Sequence, residues 1–305
     1  MRAAFSRQVD RWIDRGAGLD GSLDPFGPPL SVEETARALE VVATARFDAG
    51  PPFAAPLEIE GTSGRVGALL RPPRRGRAWC VLATPYGAWT KPARLGLYEL
   101  QARALAARGL GVAAIEPPFH GARSMRGQTS GWGFVRADVG LTMRSVLAYA
   151  AEVAALARHL REARGAERVC GFALSLGGCA LGLAATQGAP FDRLAFLAAA
   201  DGPASFYATG ANREARRRTL SRAGYGMARV VEAFRAVQPS ASQAPRAPSL
   251  FAIPAHDLVV PAATQEAWRA AWGGARLDLA WHGHGIALAS AAAARGVARW
   301  LAIDM

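Results

Sequence analysis

The sequence predicts an α/β fold built on a mainly parallel sheet, and three observations carry that prediction. From about residue 57 onward, short apolar runs alternate with longer segments of helical periodicity, the pattern of a parallel sheet with helices on both faces. One run, Arg168-Val-Cys-Gly-Phe-Ala-Leu-Ser-Leu-Gly-Gly178, ends on a serine fenced by small residues. A strand has this look when it turns sharply into a helix and displays one hydroxyl at the bend. Two later runs each feed a loop carrying a candidate residue, first Asp257 and then His284.

Taken in order, residues 1–56 read as an N-terminal helical extension. It has a basic amphipathic start, a Gly/Pro-rich stretch from Gly16 to Pro29 and a helix over about Ser31–Phe47. Ser31 and Glu34 form a capping box for that helix, each side chain placed to satisfy the other's backbone N–H. The first part of the core spans 57–200. Eight strands are expected in all, near Leu57–Glu60, Arg65–Leu70, Trp79–Thr84, Val112–Ile115, Arg168–Phe172, Leu194–Ala198, Ser249–Ile253 and Arg276–Ala280. Helices are expected near Ala93–Arg108, Val135–Arg164, Leu176–Gln187, Ala262–Trp272 and Ile286–Leu301. Residues 201–247 break this rhythm: they are arginine-rich, carry Tyr207, Tyr225 and Phe234, and end in a Pro/Ser/Gln linker. Residues 248–305 resume the core.

Ser175 is the candidate nucleophile, with Gly177 and Gly178 letting the next helix pack tightly on the strand. Ala173 stands where the pattern G-x-S-x-G has its first glycine; alanine is the next smallest residue. Asp257 and His284 follow in the chain order nucleophile, acid, base, each just past an expected strand. A serine hydroxyl needs such a base to become nucleophilic at neutral pH, and the acid holds the imidazole tautomer.

Four segments carry a resemblance: Leu82-Ala-Thr-Pro-Tyr-Gly-Ala-Trp89, Glu116-Pro-Pro-Phe-His-Gly-Ala-Arg-Ser124, the serine turn, and the Asp257 and His284 loops. Over roughly residues 57–305 the chain resembles serine hydrolases of the α/β-hydrolase superfamily. The first segment is similar to the family's His-Gly-x-x oxyanion turn, with Tyr86 in place of the histidine. The second is similar to its Asp-x-x-Gly-His-Gly-x-Ser loop, in a version that resembles the branch named for hydrolase domain-containing protein eighteen. The resemblance implies an oxyanion hole from the backbone N–H groups of Leu176 and Ala88. It also implies that 201–247 is a helical cap over the site. Tyr86, Trp89, Phe206 and Tyr207 are then candidates to line a substrate cleft, with Trp132 and Phe134 beside them. Arg123 and Arg126 are placed to meet a substrate carboxylate. The expected reaction is hydrolysis of a carboxylic ester, thioester or amide through an acyl-serine.

Alternatives stay open at this level. His282 competes with His284 as base, and Asp201 with Asp257 as acid. Glu116, His120 and His256 lie near these loops, and His159 falls in a long helix. The same three side chains also serve C–C cleavage, lactonisation or acyl transfer on this fold, or stand idle in a binding protein.

Composition narrows the partners. The net charge of +12 comes from scattered arginines, Lys91 being the single lysine, and no nucleic-acid-binding motif accompanies it. No eighteen-residue uninterrupted apolar run marks a membrane span, and the start lacks a signal peptide's apolar stretch. Cys80, Cys170 and Cys179 fall at positions expected to be buried, which suits free thiols in a reducing cytoplasm. No Cys/His spacing suggests zinc and no Gly-rich phosphate loop follows the first strand. The expected partner is a small acyl substrate, without cofactor or metal; a homodimer is left open.

Overall fold

The computed structural model describes residues 2–16, 28–44, 53–54, 65–66, 68–73, 76–87, 99–128, 130–136, 138–204, 207 and 213–303. Helices α1 (Arg2–Gly16) and α2 (Val32–Thr44) precede two short strands, β1 (Phe53–Ala54) and β2 (Arg65–Val66), which pair antiparallel. The main sheet is built from β3 (Ala68–Arg71), β4 (Ala78–Ala83), β5 (Gly111–Ile115), β6 (Arg168–Leu174), β7 (Arg193–Leu197), β8 (Ser249–Pro254) and β9 (Ala275–Leu279). Its seven strands run in the order β3-β5-β4-β6-β7-β8-β9. Within this sheet, only the β3–β5 pairing is antiparallel among the described residues.

The expected first strand, Leu57–Glu60, lies outside the described residues. The expected Arg65–Leu70 strand is instead divided, one piece pairing with β1 and the other with β5. The expected helix Ile286–Leu301 is also divided, into α9 (His284–Leu288) and α10 (Ala291–Leu301), because Ser290 caps a new helix start through Ala293 N–H.

Alternation along the strands supplies both faces. Val81, Ala83, Ala113, Ile115, Val169, Phe196 and Phe251 point to one side, under α2, α4 (Val139–Glu162), α5 (Gly177–Thr186) and α8 (Ala262–Trp272). Cys80, Leu82, Val112, Ala114, Phe172, Leu197 and Ala252 point to the other, under α3 (Glu99–Ala106) and α10. All three cysteines are buried free thiols. Helix α4 is long and apolar enough to span a bilayer by composition, yet nearly all of that stretch is buried against the sheet, α2 and α5. Its many alanines allow that close approach on several sides. Asp138 caps its start by accepting the Leu141 N–H at 2.7 Å.

Within 201–247 lie helices α6 (Arg213–Arg222) and α7 (Met227–Arg235) and a 3-10 turn, Pro239–Ala241.

Candidate active site

Strand β6 runs directly into Ser175, whose φ of 48° lies in the left-handed region. For a non-glycine residue that costs roughly 1–2 kcal/mol, and it holds the side chain at the bend. The surrounding backbone fixes it: Ser175 N–H donates to Leu197 O at 3.1 Å, and Ala200 N–H donates to Ser175 O at 2.9 Å. The glycines after it are there for space. A Cβ on Gly177 would strike the Ala83 carbonyl, and one on Gly178 would sit 2.7 Å from Ala199 Cβ. Ala173, buried beside Ala83 and Phe196 in the sheet register, leaves the turn intact. Leu176 follows as the N-cap residue of α5, so its N–H belongs to the unpaired first turn of a helix.

Loops after β8 and β9 bring two more side chains to this point. His284 Nε2 lies 2.8 Å from Ser175 Oγ, and Nδ1 lies 2.9 Å from Asp257 Oδ2. All three residues are buried. Asp257 is held by four donors. Oδ1 accepts the Val259 and Val260 N–H groups at 2.9 and 2.7 Å, and Oδ2 also accepts Gln265 Nε2 at 3.1 Å. Burial by itself pushes the His284 proton affinity down. The charge and hydrogen bond of Asp257, joined by the charge of Asp10, outweigh it and leave the pKa above the ordinary value. With Nδ1–H committed to Asp257, Nε2 is the acceptor facing the serine hydroxyl, and this chain can draw the Ser175 proton onto the imidazole.

The remaining expected residues divide. Tyr86 is half-buried, with its ring edge-on to His120 at 5.5 Å between centroids. The next residue, Gly87, donates its N–H to His120 Nε2 at 3.0 Å, while His120 Nδ1–H donates to Pro118 O at 2.7 Å. Burial lowers the His120 pKa to about 4, so the ring is neutral and able to accept. Ala88, Trp89 and Phe206 lie outside the described residues. Tyr207 corrects the expectation of a cleft wall. It is fully buried, its ring packed on Phe234 at 5.2 Å, and its hydroxyl donates to the Arg136 carbonyl and faces Thr142 Oγ1. Phe134 is likewise core, and Trp132 lies under the Arg136 guanidinium.

The competing residues have other occupations. His282 Nε2 faces Ser290 Oγ at 3.2 Å and its ring stacks on Trp281. Asp201 accepts from Gln238 Nε2 at 2.5 Å, from Ser240 N–H at 2.9 Å and from Ser240 Oγ. Arg123 does meet a carboxylate, but it is the buried Glu152, gripped at 2.8 Å by both guanidinium nitrogens. Arg126 is exposed, and Glu116 Oε1 accepts the Ala122 N–H at 2.9 Å. His159 is on α4, partly exposed.

Sequence reasoning missed Gln265, Ser6 and Asp10. The last two sit on α1, which packs against α9, and no motif marks them. Ser6 Oγ accepts the Gly283 N–H, and the Asp10 carboxylate accepts from the backbone of both the Asp257 and His284 loops.

No known family model matches the chain, and no curated protein matches it by sequence. Solved structures do. Acetyl xylan esterase 1 from Thermoanaerobacterium superposes with a TM-score of 0.58 at 14% identity, covering 88% of this chain and 92% of the esterase. A monoacylglycerol lipase from Paleococcus ferrophilus gives 0.52 at 16%, covering 78% and 98%. A puromycin-hydrolysing peptidase from Mycobacterium tuberculosis gives 0.58 at 17% identity and 85% coverage, though the match spans 38% of that longer chain. At these identities the likeness is one of fold, and the fold is that of the α/β-hydrolases.

Proposed function

We propose that this chain, an α/β-hydrolase by fold, is a serine hydrolase that cleaves a carboxylic ester, thioester or amide through an acyl-serine intermediate. One observation carries the reading: the unbroken hydrogen-bonded line Asp257–His284–Ser175, at 2.9 and 2.8 Å, with the serine raised on a strained turn. Ser175 Oγ attacks the substrate carbonyl as His284 Nε2 takes its proton. His284 then returns that proton to the leaving group, and a water repeats the sequence to release the acid. Asp257 holds the tautomer and stabilises the imidazolium throughout.

The oxyanion is met by Leu176 N–H at the start of α5 and by one donor from the turn after β4. Gly87 N–H is already engaged by His120, which favours Ala88 as that second donor; loss of one such donor costs ~3 kcal/mol of transition-state stabilisation. Tyr86, Trp89 and Phe206 are proposed for the substrate cleft. Residues 201–247 are proposed as its cap, because Asp201 at their start is tied to Gln238 and Ser240 near their end, beside the segment that hydrogen-bonds Ser175. The Pro-Phe-His-Gly-Ala-Arg segment supports the branch named for hydrolase domain-containing protein eighteen, and three buried free thiols support a reducing, cytoplasmic location.

The test is fluorophosphonate labelling together with turnover of a panel of acyl esters graded in chain length. Wild type is expected to label at Ser175, and Ser175→Ala to lose both labelling and turnover while keeping its fold. A Ser175→Ala protein retaining more than a few per cent of wild-type turnover overturns the assignment.

A further inference from the structure

We propose that Asp10, on the N-terminal helix, is a positioning residue of this site that locks the acid loop and the base loop to each other. The proposal rests on the reading of His284 as the base. Asp10 is fully buried, and both carboxylate oxygens are used. Oδ2 accepts the His284 N–H at 2.8 Å and the Leu258 N–H at 3.1 Å; Oδ1 accepts the Gly285 N–H at 2.9 Å. Leu258 directly follows the acid Asp257. One carboxylate from outside the core thus fixes the backbone beside both members of the proton-moving pair.

The dock is built for close approach. A Cβ on Gly283 would lie 2.7 Å from Asp10 Oδ2 and 3.0 Å from Ser6 Oγ, so only glycine lets α1 seat here. Ser6, one helical turn before Asp10, takes up the Gly283 N–H itself. Arg7 on the same helix donates to His256 Nδ1 at 3.2 Å, and His256 N–H donates to His282 O at 2.9 Å, a second tie between the two loops.

Three N–H groups at the start of α9 and in the acid loop would otherwise be left partly buried without acceptors, and a rigid backbone there is what sets the imidazole angle toward Ser175. Among the described residues, the charges facing the His284 ring are Asp257 from the loop after β8 and Asp10 from α1. The ring's Nε2 faces the neutral Ser175, while Arg7 is turned to His256.

Two readouts test this in the full chain. One is the rate of fluorophosphonate labelling against pH; the other is the titration of the His284 ring by NMR, assigned with His284→Gln. In Asp10→Asn the labelling rate is expected to fall about 10-fold or more. Its acid limb and the ring's pKa should both move to lower pH by ~0.5–1 unit, because one of two facing anions is gone. Gly283→Ala, which displaces α1 while leaving the carboxylate on the chain, should give the same loss and serves where Asp10→Asn does not fold. Folded variants with an unchanged rate and an unchanged His284 titration overturn the proposal. So do variants that only melt earlier. Should wild type fail to label while the ring titration still shifts in Asp10→Asn, Asp10 keeps its role and the nucleophile assignment falls instead.

Discussion

His284 and His120 show how one residue type is tuned in opposite directions within one site. The His284 pKa is raised against its burial by Asp257 and Asp10. Its charged form therefore adds stability that is complete below the ordinary value near 6.5 and is lost as pH rises through the raised folded pKa. The proposed catalysis needs the neutral ring, so turnover should appear over the window in which that stability disappears, with its acid limb above about pH 6.5. Asp257→Asn should cost on the order of 10⁴ in kcat by forfeiting the tautomer, whereas Asp201→Asn should leave kcat within about tenfold of wild type. A kinetic pH profile of the three proteins checks both statements, and the reverse ranking would move the acid to the end of β7. His120 behaves the other way. Burial lowers its pKa to about 4, so the unfolded chain takes up a proton first and stability falls as pH drops from about 6.5 toward 4. That term is worth about 3 kcal/mol. Melting temperature against pH should therefore decline less steeply over this window in His120→Asn than in wild type. Parallel curves would mean that the ring is protonated when folded.

At the level of elements, the buried pair Arg123–Glu152 ties the loop after β5 to α4. Breaking it one-sidedly leaves a buried charge, so Arg123→Met should cost about 3–5 kcal/mol, while Arg123→Met with Glu152→Leu should recover most of that. Thermal melts of the single and double variants decide it, and a double variant no better than the single one refutes the coupling. Tyr207 is a similar brace between 201–247 and the start of α4. Tyr207→Ala should cost about 3–5 kcal/mol in stability with little change in preference among acyl esters. An altered ester profile in a protein of normal melting temperature would restore Tyr207 to the cleft. What the sequence hid lies at this scale. Period-two and helical patterns fix β4 to β8 and α8 closely, because each face of a strand is specified by its own alternate residues. Tyr207, Arg123 and Asp201 looked like site residues because they are polar or aromatic and sit near strand ends. Whether such a residue meets substrate or a partner within the chain depends on which distant element covers it, and local pattern carries no such information.

Across the whole molecule, the candidate site was legible where chemistry and chain order coincide, as for Ser175, Asp257 and His284, whose residue types are those the proposed proton path requires. Asp10 was not legible, since its partners are separated from it by 248 to 275 residues and its contacts are to backbone. That separation has a consequence for how the molecule is made. The helix carrying Asp10 is synthesised 274 residues ahead of His284 in its dock, so at ~5–20 residues per second it waits on the order of 15–55 s. Long-range closure of this kind is also slow in refolding, since chain entropy is spent before any contact rewards it. Competence should therefore lag assembly. On dilution from denaturant, fluorescence from the core Trp268 and Trp272 should recover in an earlier phase than fluorophosphonate reactivity at Ser175. In Asp10→Asn the late phase should lose most of its amplitude, leaving a protein that is folded in its sheet and slow at its serine.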